Sequence, residues 1–226
     1  MAYGNGAEYR AKGLYAAAKL FLEKGYSNTT MKEIAKAAGI EYNALNRTFR
    51  YKENILADLV TYVLREQFAS ATKLLAGVTD DQILYYAAET TLQLYIVESS
   101  EHIRDLYGAA YSLPTTTKII QDTITGKLEN IFKEHLPDLE SKDFYEREIA
   151  SGGIMRGFMT IPCDRYFTME RKVAAFLQTT FLVYEVPKKK IQEAIEFVSQ
   201  FDYPKVAQDT INAMLNNLTN IEKIES

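Results

Sequence analysis

Apolar residues recur at intervals of three and four along almost the whole chain, and no segment alternates apolar and polar for long, so the pattern predicts an all-α protein. Leu14, Ala17, Ala18, Phe21 and Leu22 fall on one face of a helix over 8–24, which Gly25 closes. Tyr26, Ser27 and Asn28 form a link, and Thr29 or Thr30 is placed to cap the next helix. Over 31–38, Ile34 and Ala38 make an apolar edge, while Ala35 is small enough for a second helix to cross close by. Gly39 can take the left-handed backbone that ends a helix, with Ile40 as the accompanying hydrophobic contact. Over 42–49, Leu45 and Phe49 face inward one turn apart. Tyr42, Asn43, Asn46, Arg47 and Arg50 are left as an outer, hydrogen-bonding stripe. The stretch reads as two short helices and a tight turn, shaped to enter a DNA groove.

From Lys52 a long helix carries Ile55, Leu56, Leu59, Val63 and Phe68 inward and is expected to reach the early seventies, a span on the order of 30 Å. Residues 77–80 break it, with Thr79 or Asp80 as the expected cap of the next helix. Helices are then predicted over 80–97, 100–111, 115–135 (Pro114 before it, Pro137 after it), 142–160, 169–185, 188–201 and 204–220. This gives an N-terminal three-helix domain with a helix-turn-helix over 1–51 and a larger helical domain over 52–226.

Composition changes the picture little and charge changes it more. A chain of 226 residues, 47% hydrophobic, can bury a full core. No signal-like start and no long uninterrupted apolar run occur, which places the protein in the cytoplasm with no membrane partner. Cys163 is the single cysteine, and His102 and His135 are the only histidines, so neither an internal disulfide nor a recognisable metal cluster is expected. No cofactor is called for, and no nucleophile, base or glycine-rich phosphate loop assembles into a catalytic pattern; an enzyme is not expected. The net charge of −4 conceals an asymmetry: residues 1–56 carry +4 and the remainder −8. A basic head on an acidic body is the distribution expected when one end meets phosphate, and so modest a charge suggests that two copies are needed.

The run Gly25-Tyr26, Thr29-Thr30, Ile34-Ala35, Ala38-Gly39, Leu45, Arg47, Phe49, Lys52-Glu53 and Ile55-Leu56 resembles, in register, the TetR family of bacterial one-component regulators. The likeness covers Arg10 to Leu56, about a quarter of the chain. It implies a homodimeric transcription regulator that binds double-stranded DNA at a pseudo-palindromic operator, usually as a repressor relieved by a small-molecule effector bound in the larger domain. Thr30 and Lys52 match positions that imply phosphate contacts, to which Lys32 and Lys36 can add. Asn46 and Arg47 have the chemistry to read adenine and guanine edges, or to bond phosphate alone. The sequence departs from the family where Glu41, Asn46 and Thr48 stand in place of a serine or threonine, a tyrosine and a histidine. Glu41 is read as a carboxylate cap of the second short helix, or as a partner for a cytosine amino group. Tyr42 is a substitute phosphate donor for the missing tyrosine.

By the same resemblance, Tyr86, Tyr95, His102, Tyr107, Tyr111, Phe158 and Phe181 are candidates to line the effector pocket, against the plainer reading of an aromatic core. Gly153 and Gly157, one turn apart in GGIMRGFM, are unusual inside a helix, where each costs about 1 kcal/mol relative to alanine. They are assigned, with Phe176, Thr180 and Tyr184, to a dimer interface over 142–160 and 169–185, against a bend or a close packing within the chain. The rival functional reading is a coactivator that docks a protein partner through its body.

Overall fold

The apolar stripes become the inner sides of helices in the computed structural model, which describes residues 5–218. Among these, eleven helices follow one another: α1 (Asn5–Lys24), α2 (Met31–Ala38), α3 (Tyr42–Phe49), α4 (Lys52–Leu75), α5 (Gln82–Glu98), α6 (Glu101–Ala110), α7 (Pro114–Phe132), α8 (Ser141–Thr160), α9 (Met169–Val183), α10 (Lys188–Val198) and α11 (Tyr203–Leu218). The expected end at 220 lies outside the described residues. Several boundaries differ by a few residues from those expected, two of them for evident local reasons. Asp81, rather than Thr79 or Asp80, caps α5, its carboxylate accepting from the Ile83 and Leu84 amides at 2.9 and 3.1 Å. Pro114 lies inside the first turn of α7, where its missing N–H costs nothing.

α1, α2 and α3 enclose a small core of Phe21, Ile34, Leu45 and Phe49, each nearly or fully buried, which α4 completes with Ile55 and Leu59. Gly39 has φ +65° and ends α2 in the left-handed conformation, while the Ile40 amide donates back to Ala35 O at 3.0 Å. Thr30, not Thr29, caps α2, in a reciprocal arrangement in which the Thr30 amide donates to Glu33 Oε2 at 2.9 Å. Thr29 is buried and donates to Gly25 O at 2.7 Å.

The body is organised around α5, which touches α4 and each of α6 to α11 and is buried on almost every side. Beside it Phe132 and Tyr184 stack at 4.1 Å, with Tyr86 and Phe181 edge-on or tilted against them. Pairs of this kind each add about 0.5 to 1.5 kcal/mol beyond area burial. At the end of α5, Glu98 accepts from buried Lys172 of α9 at 2.6 Å, from Arg104 of α6 at 3.0 Å and from the Cys163 amide at 2.9 Å. Lys172 Nζ also donates to Ile161 O at 2.6 Å, so one buried pair pins the 161–168 connection to the core.

Head and body meet at the α1–α2 link. Asp105 of α6 accepts from the Ser27 amide at 2.7 Å and from its hydroxyl at 2.6 Å, while Lys52 of α4 donates to Tyr26 O and Thr29 O at 2.6 and 2.8 Å. Removing the carboxylate in Asp105→Ala is expected to raise hydrogen exchange at the Ser27 amide about tenfold, the equivalent of one ordinary hydrogen bond. Unchanged exchange there would show that the contact does not persist in solution.

Candidate nucleic-acid interface and effector cavity

On α3 the inward residues Ala44, Leu45 and Phe49 anchor the helix, and the same 3.6-residue period turns the opposite side to solvent. Glu41, Tyr42, Asn43, Asn46, Arg47 and Arg50 are all exposed there. The side chains of Asn43, Asn46 and Arg47 make no hydrogen bond or ion pair among the described residues, which leaves their amides and guanidinium available. Arg50 sits just beyond the helix with φ +61°, a backbone conformation uncommon for a residue other than glycine. Lys32, Lys36 and Thr30 are exposed on and before α2, beside the stripe.

Two expected roles are revised. Glu41 stands at the N-cap position of α3, but its carboxylate makes no capping bond. Lys52 is only half exposed, and its ammonium is engaged by the two carbonyls of the α1–α2 link and by the Tyr26 ring, 4.0 Å away. The side chain is a clasp within the chain, since a cation already bonded in this way is not free to hold phosphate in the same pose.

In the body, a small cavity of ≈ 40 Å³, partly open to solvent, lies between α4, α5, α7 and α8. Its apolar walls include Leu64, Phe68, Tyr86, Tyr111 and Met155. Its polar groups are Glu89, Gln93, Lys127, Glu148 and Ser151. Glu89 accepts from Gln67, whose own carbonyl accepts from Tyr107 Oη at 3.3 Å. Gln93 donates to Tyr111 Oη at 2.8 Å, and Ser151 Oγ lies 3.2 Å from Glu148 Oε2 and 2.8 Å from Tyr184 Oη. Burial raises Glu89 to about 7, against the opposing influence of the Gln67 hydrogen bond and the Lys127 charge. Burial raises Glu148 to about 8, and the Glu89 charge adds to it while Ser151 opposes it.

Of the aromatic candidates, Tyr86 and Tyr111 line this cavity, and Tyr107 stands one hydrogen bond behind it. The other four do not belong to it. Tyr95 stacks on Tyr203 at 5.3 Å, Phe158 packs on Phe167 and Phe176, Phe181 is fully buried against Tyr86 and Phe132, and His102 sits half exposed on α6. Nor can Phe176, Thr180 and Tyr184 form a dimer interface. All three are 0% exposed within the single chain, because the stripe they share is the inward face of α9 and its end, not the outward one. Gly153 and Gly157 are exposed, and a Cβ built on either meets nothing within 4 Å, so close packing within the chain does not explain them.

Residues 14–59 match the sequence model of the bacterial regulatory proteins of the tetR family. The head is a TetR-family helix-turn-helix domain. The wider fold is shared with solved TetR-type regulators at low identity. RolR in complex with resorcinol is 14% identical, with 87% of this chain and 96% of that one covered at a TM-score of 0.66. SmeT, the repressor of the Stenotrophomonas maltophilia multidrug efflux pump SmeDEF, is 18% identical over 76% of this chain and 88% of its own, with a TM-score of 0.53. A SmeT–triclosan complex is 19% identical over 80% and 95%, with a TM-score of 0.52. No curated protein matches the sequence. The TetR-type head thus sits on a body whose fold, but not whose cavity chemistry, the neighbours describe. Among the described residues no helix is long and apolar enough to cross a membrane, and no His, Cys, Asp or Glu group has metal-site geometry.

Glu89 and Glu148, which no aromatic pattern announces, are the residues that sequence reading missed. The signal was present: each is a lone acid on an apolar stripe, Glu89 inside ILYYAAETTLQLYIV and Glu148 in line with Phe144, Ser151 and Met155. Both bind a proton more tightly folded than unfolded. The stability this contributes is therefore complete below the ordinary value of 4.5 and is lost as pH rises through about 7 for Glu89 and about 8 for Glu148. Tyr86, Tyr107, Tyr111 and Tyr184, which face the pair, are raised by burial and stay neutral across this window, and Lys127 is the facing cation. The thermal midpoint should fall between about pH 5 and pH 8.5, and Glu89→Gln combined with Glu148→Gln should flatten the fall. An undiminished slope in the double variant would locate the titration elsewhere.

Proposed function

We propose that the chain is a cytoplasmic, homodimeric, ligand-responsive transcription regulator, acting as a repressor, with its DNA-binding head at 1–51 and its effector and dimerisation body at 52–226. The observation that carries this reading is the polar stripe of α3, held outward by a TetR-type head, with the side chains of Asn43, Asn46 and Arg47 unused by the rest of the described residues. Asn46 and Arg47 are assigned to base edges. Thr30, Lys32, Glu41, Tyr42, Asn43 and Arg50 are assigned to the surrounding groove and backbone, where Glu41 sits opposite a cytosine amino group. The basic head supports phosphate contact and the acidic body disfavours it.

A dimer is supported by the outward faces of α8 and α9. Ile149 and Leu182 are 50% and 63% exposed, and the flat surface at Gly153 and Gly157 lets a partner helix approach closely. Two-fold pairing there would set the recognition helices about 34 Å apart, or a multiple of it, to meet successive major grooves. The cavity between α4, α5, α7 and α8 is the proposed effector site. Its link to the head runs through α6, where Tyr107 reaches Gln67 and Asp105 holds Ser27. RolR and SmeT, bound to resorcinol and triclosan in their structures, lend this reading an analogy of fold.

Footprinting on the DNA flanking its own gene tests the reading. Protection of two half-sites is expected, and Arg47→Ala should cost about 1 to 3 kcal/mol of discrimination at one base step in each. Equal protection by variant and parent would remove Arg47 as a reader, and no protection would remove the DNA-binding role. Leu182→Arg should shift sedimentation from dimer to monomer and weaken half-site pairing together; a dimer that survives the change places the interface elsewhere.

A further inference from the structure

The two buried carboxyls point to a second input to the molecule, an inference that rests on the DNA-binding regulator reading above. We propose that Glu89 and Glu148 form a proton-operated latch: while both carboxyls hold their protons the body keeps the head at the angle seen here, and loss of those protons to solvent frees the head and lowers operator affinity.

Three observations support this. Glu89 and Glu148 are 6% and 3% exposed, yet both line one cavity of ≈ 40 Å³, room enough for a water molecule to reach them and take a proton. Among the described residues they are bonded by neutral donors, Gln67 and Ser151, while Lys127 Nζ stands 3.9 Å over the Phe68 ring and in no salt bridge with either. Two negative charges in so confined a space repel each other unless water enters or the helices part. Gly152 keeps the pair together. A Cβ there would sit 3.0 Å from Glu148 Oε1, so glycine leaves room for a carboxyl folded against its own helix.

Next, Glu89 begins a chain of single contacts that ends in the head. Gln67 donates to Glu89 and accepts from Tyr107 Oη at 3.3 Å, and two residues earlier on α6 Asp105 accepts from the Ser27 amide at 2.7 Å. Gln67 is 1% exposed and has no water to turn to when Glu89 moves, so α6 must answer. A head that has lost its fixed angle must be ordered again before it meets DNA, which weakens binding by the fraction of molecules not already in place.

Finally, the sign of the linkage is set by burial, which raises Glu89 to about 7 and, with the Glu89 charge adding to it, Glu148 to about 8. A carboxyl that reaches water returns towards the ordinary 4.5, so the latched form binds protons more tightly than the freed one. The latch is complete below 4.5 and is lost as pH rises through about 7 and about 8. The groups that face the pair are Tyr85 and Tyr86 of α5, Tyr107 of α6, Tyr111 just after it, Lys127 of α7 and Tyr184 after α9. Burial raises all five tyrosines, which stay neutral across this range, and Lys127 favours the ionised form of Glu89.

The experiment follows two quantities in the full chain from about pH 5.5 to pH 9 at constant ionic strength. One is affinity for a labelled duplex of the DNA flanking its own gene, and the other is the hydrogen-exchange protection factor of the Ser27 amide. Affinity should fall about tenfold or more between about pH 6 and pH 8.5, and protection should fall with it. Glu89→Gln combined with Glu148→Gln mimics the neutral pair and should hold both nearly level. At about pH 8.5 this variant should bind the duplex about tenfold more tightly than the parent, a gain that no folding defect can mimic. Lys127→Met removes the charge that favours ionised Glu89 and should move the fall to higher pH. His102→Gln with His135→Gln, which removes both histidines, should leave it in place. A level affinity in the parent, an equally steep fall in the double glutamine variant, or a fall that vanishes with the histidines overturns the proposal. Ser27 protection that falls with pH in a chain that binds the duplex at no pH supports the latch and removes the regulator reading.

Discussion

A helix buried on almost every side has little water for its polar side chains, and α5 is such a helix. Its buried polar groups are answered from within the protein, with the Thr91 hydroxyl as the exception unpartnered among the described residues. Thr90 does so locally, donating to Tyr86 O at 2.7 Å along its own helix. Glu89 and Gln93 reach outward, so α4 supplies Gln67 to Glu89, Tyr111 at the end of α6 accepts from Gln93, and α8 brings Ser151 and Glu148 to the same space. The cavity is where these obligations converge. Leucine at 89 and 148 would satisfy the same volume without any desolvation penalty, and removing buried ionisable groups in favour of apolar ones is often stabilising by about 1 to 4 kcal/mol. Their presence marks a place where stability is set against another requirement.

The head answers a different constraint. Three short helices cannot bury enough surface alone, and its core is finished by residues from the body: Ile55, Leu59 and Tyr62 of α4 with Met214 and Leu218 of α11. The Tyr62 hydroxyl donates to Met214 O at 2.8 Å and fixes the two body helices beneath the head. The α1–α2 link is then gripped from two sides, by Lys52 and by Asp105. The orientation of α2 and α3 thus depends on where α4 and α6 stand, while the outer stripe of α3 takes no part in holding the fold.

The fold was legible because helical periodicity, caps and breakers are local. Gly39, Thr30 and Pro114 each act on their own neighbourhood, and Leu45 and Phe49 could face inward only if Asn46 and Arg47 faced out. Which face of a body helix meets the core is a tertiary fact. Phe176, Thr180 and Tyr184 share a stripe that suits an interface as well as an interior, and only the packing of Phe132 and Tyr86 against it decides. The same limit hid the use of Lys52, whose partners Tyr26 O and Thr29 O are more than twenty residues away and are backbone atoms with no signature. The cavity was half legible. Tyrosine enrichment pointed to Tyr86 and Tyr111, but the residues that give the site its charge were passed over because acids on an amphipathic helix are usually solvated.

Whether such a site can govern DNA binding is a question of magnitude. A ligand shifts an equilibrium only by the difference in its affinity for the two shapes, and a hundredfold change in operator affinity needs about 2.7 kcal/mol of coupling. One pKa unit corresponds to about 1.4 kcal/mol, so restoring the ionised form of a carboxyl raised by burial involves free energies of that order. The groups that feel the change are already connected. Glu89 holds Gln67, Gln67 accepts from Tyr107, and Tyr107 lies two residues from Asp105 on a ten-residue helix. A rearranged carboxylate that pulls Gln67 away from Tyr107 leaves a buried hydroxyl unsatisfied, at a cost of about 1 to 3 kcal/mol, unless α6 moves with it. If α6 moves, the Ser27 contact moves too, and the head can no longer stand at the angle set by Asp105 and Lys52. The energy available at the cavity and the energy required at the head are therefore of the same size, with one short helix between them.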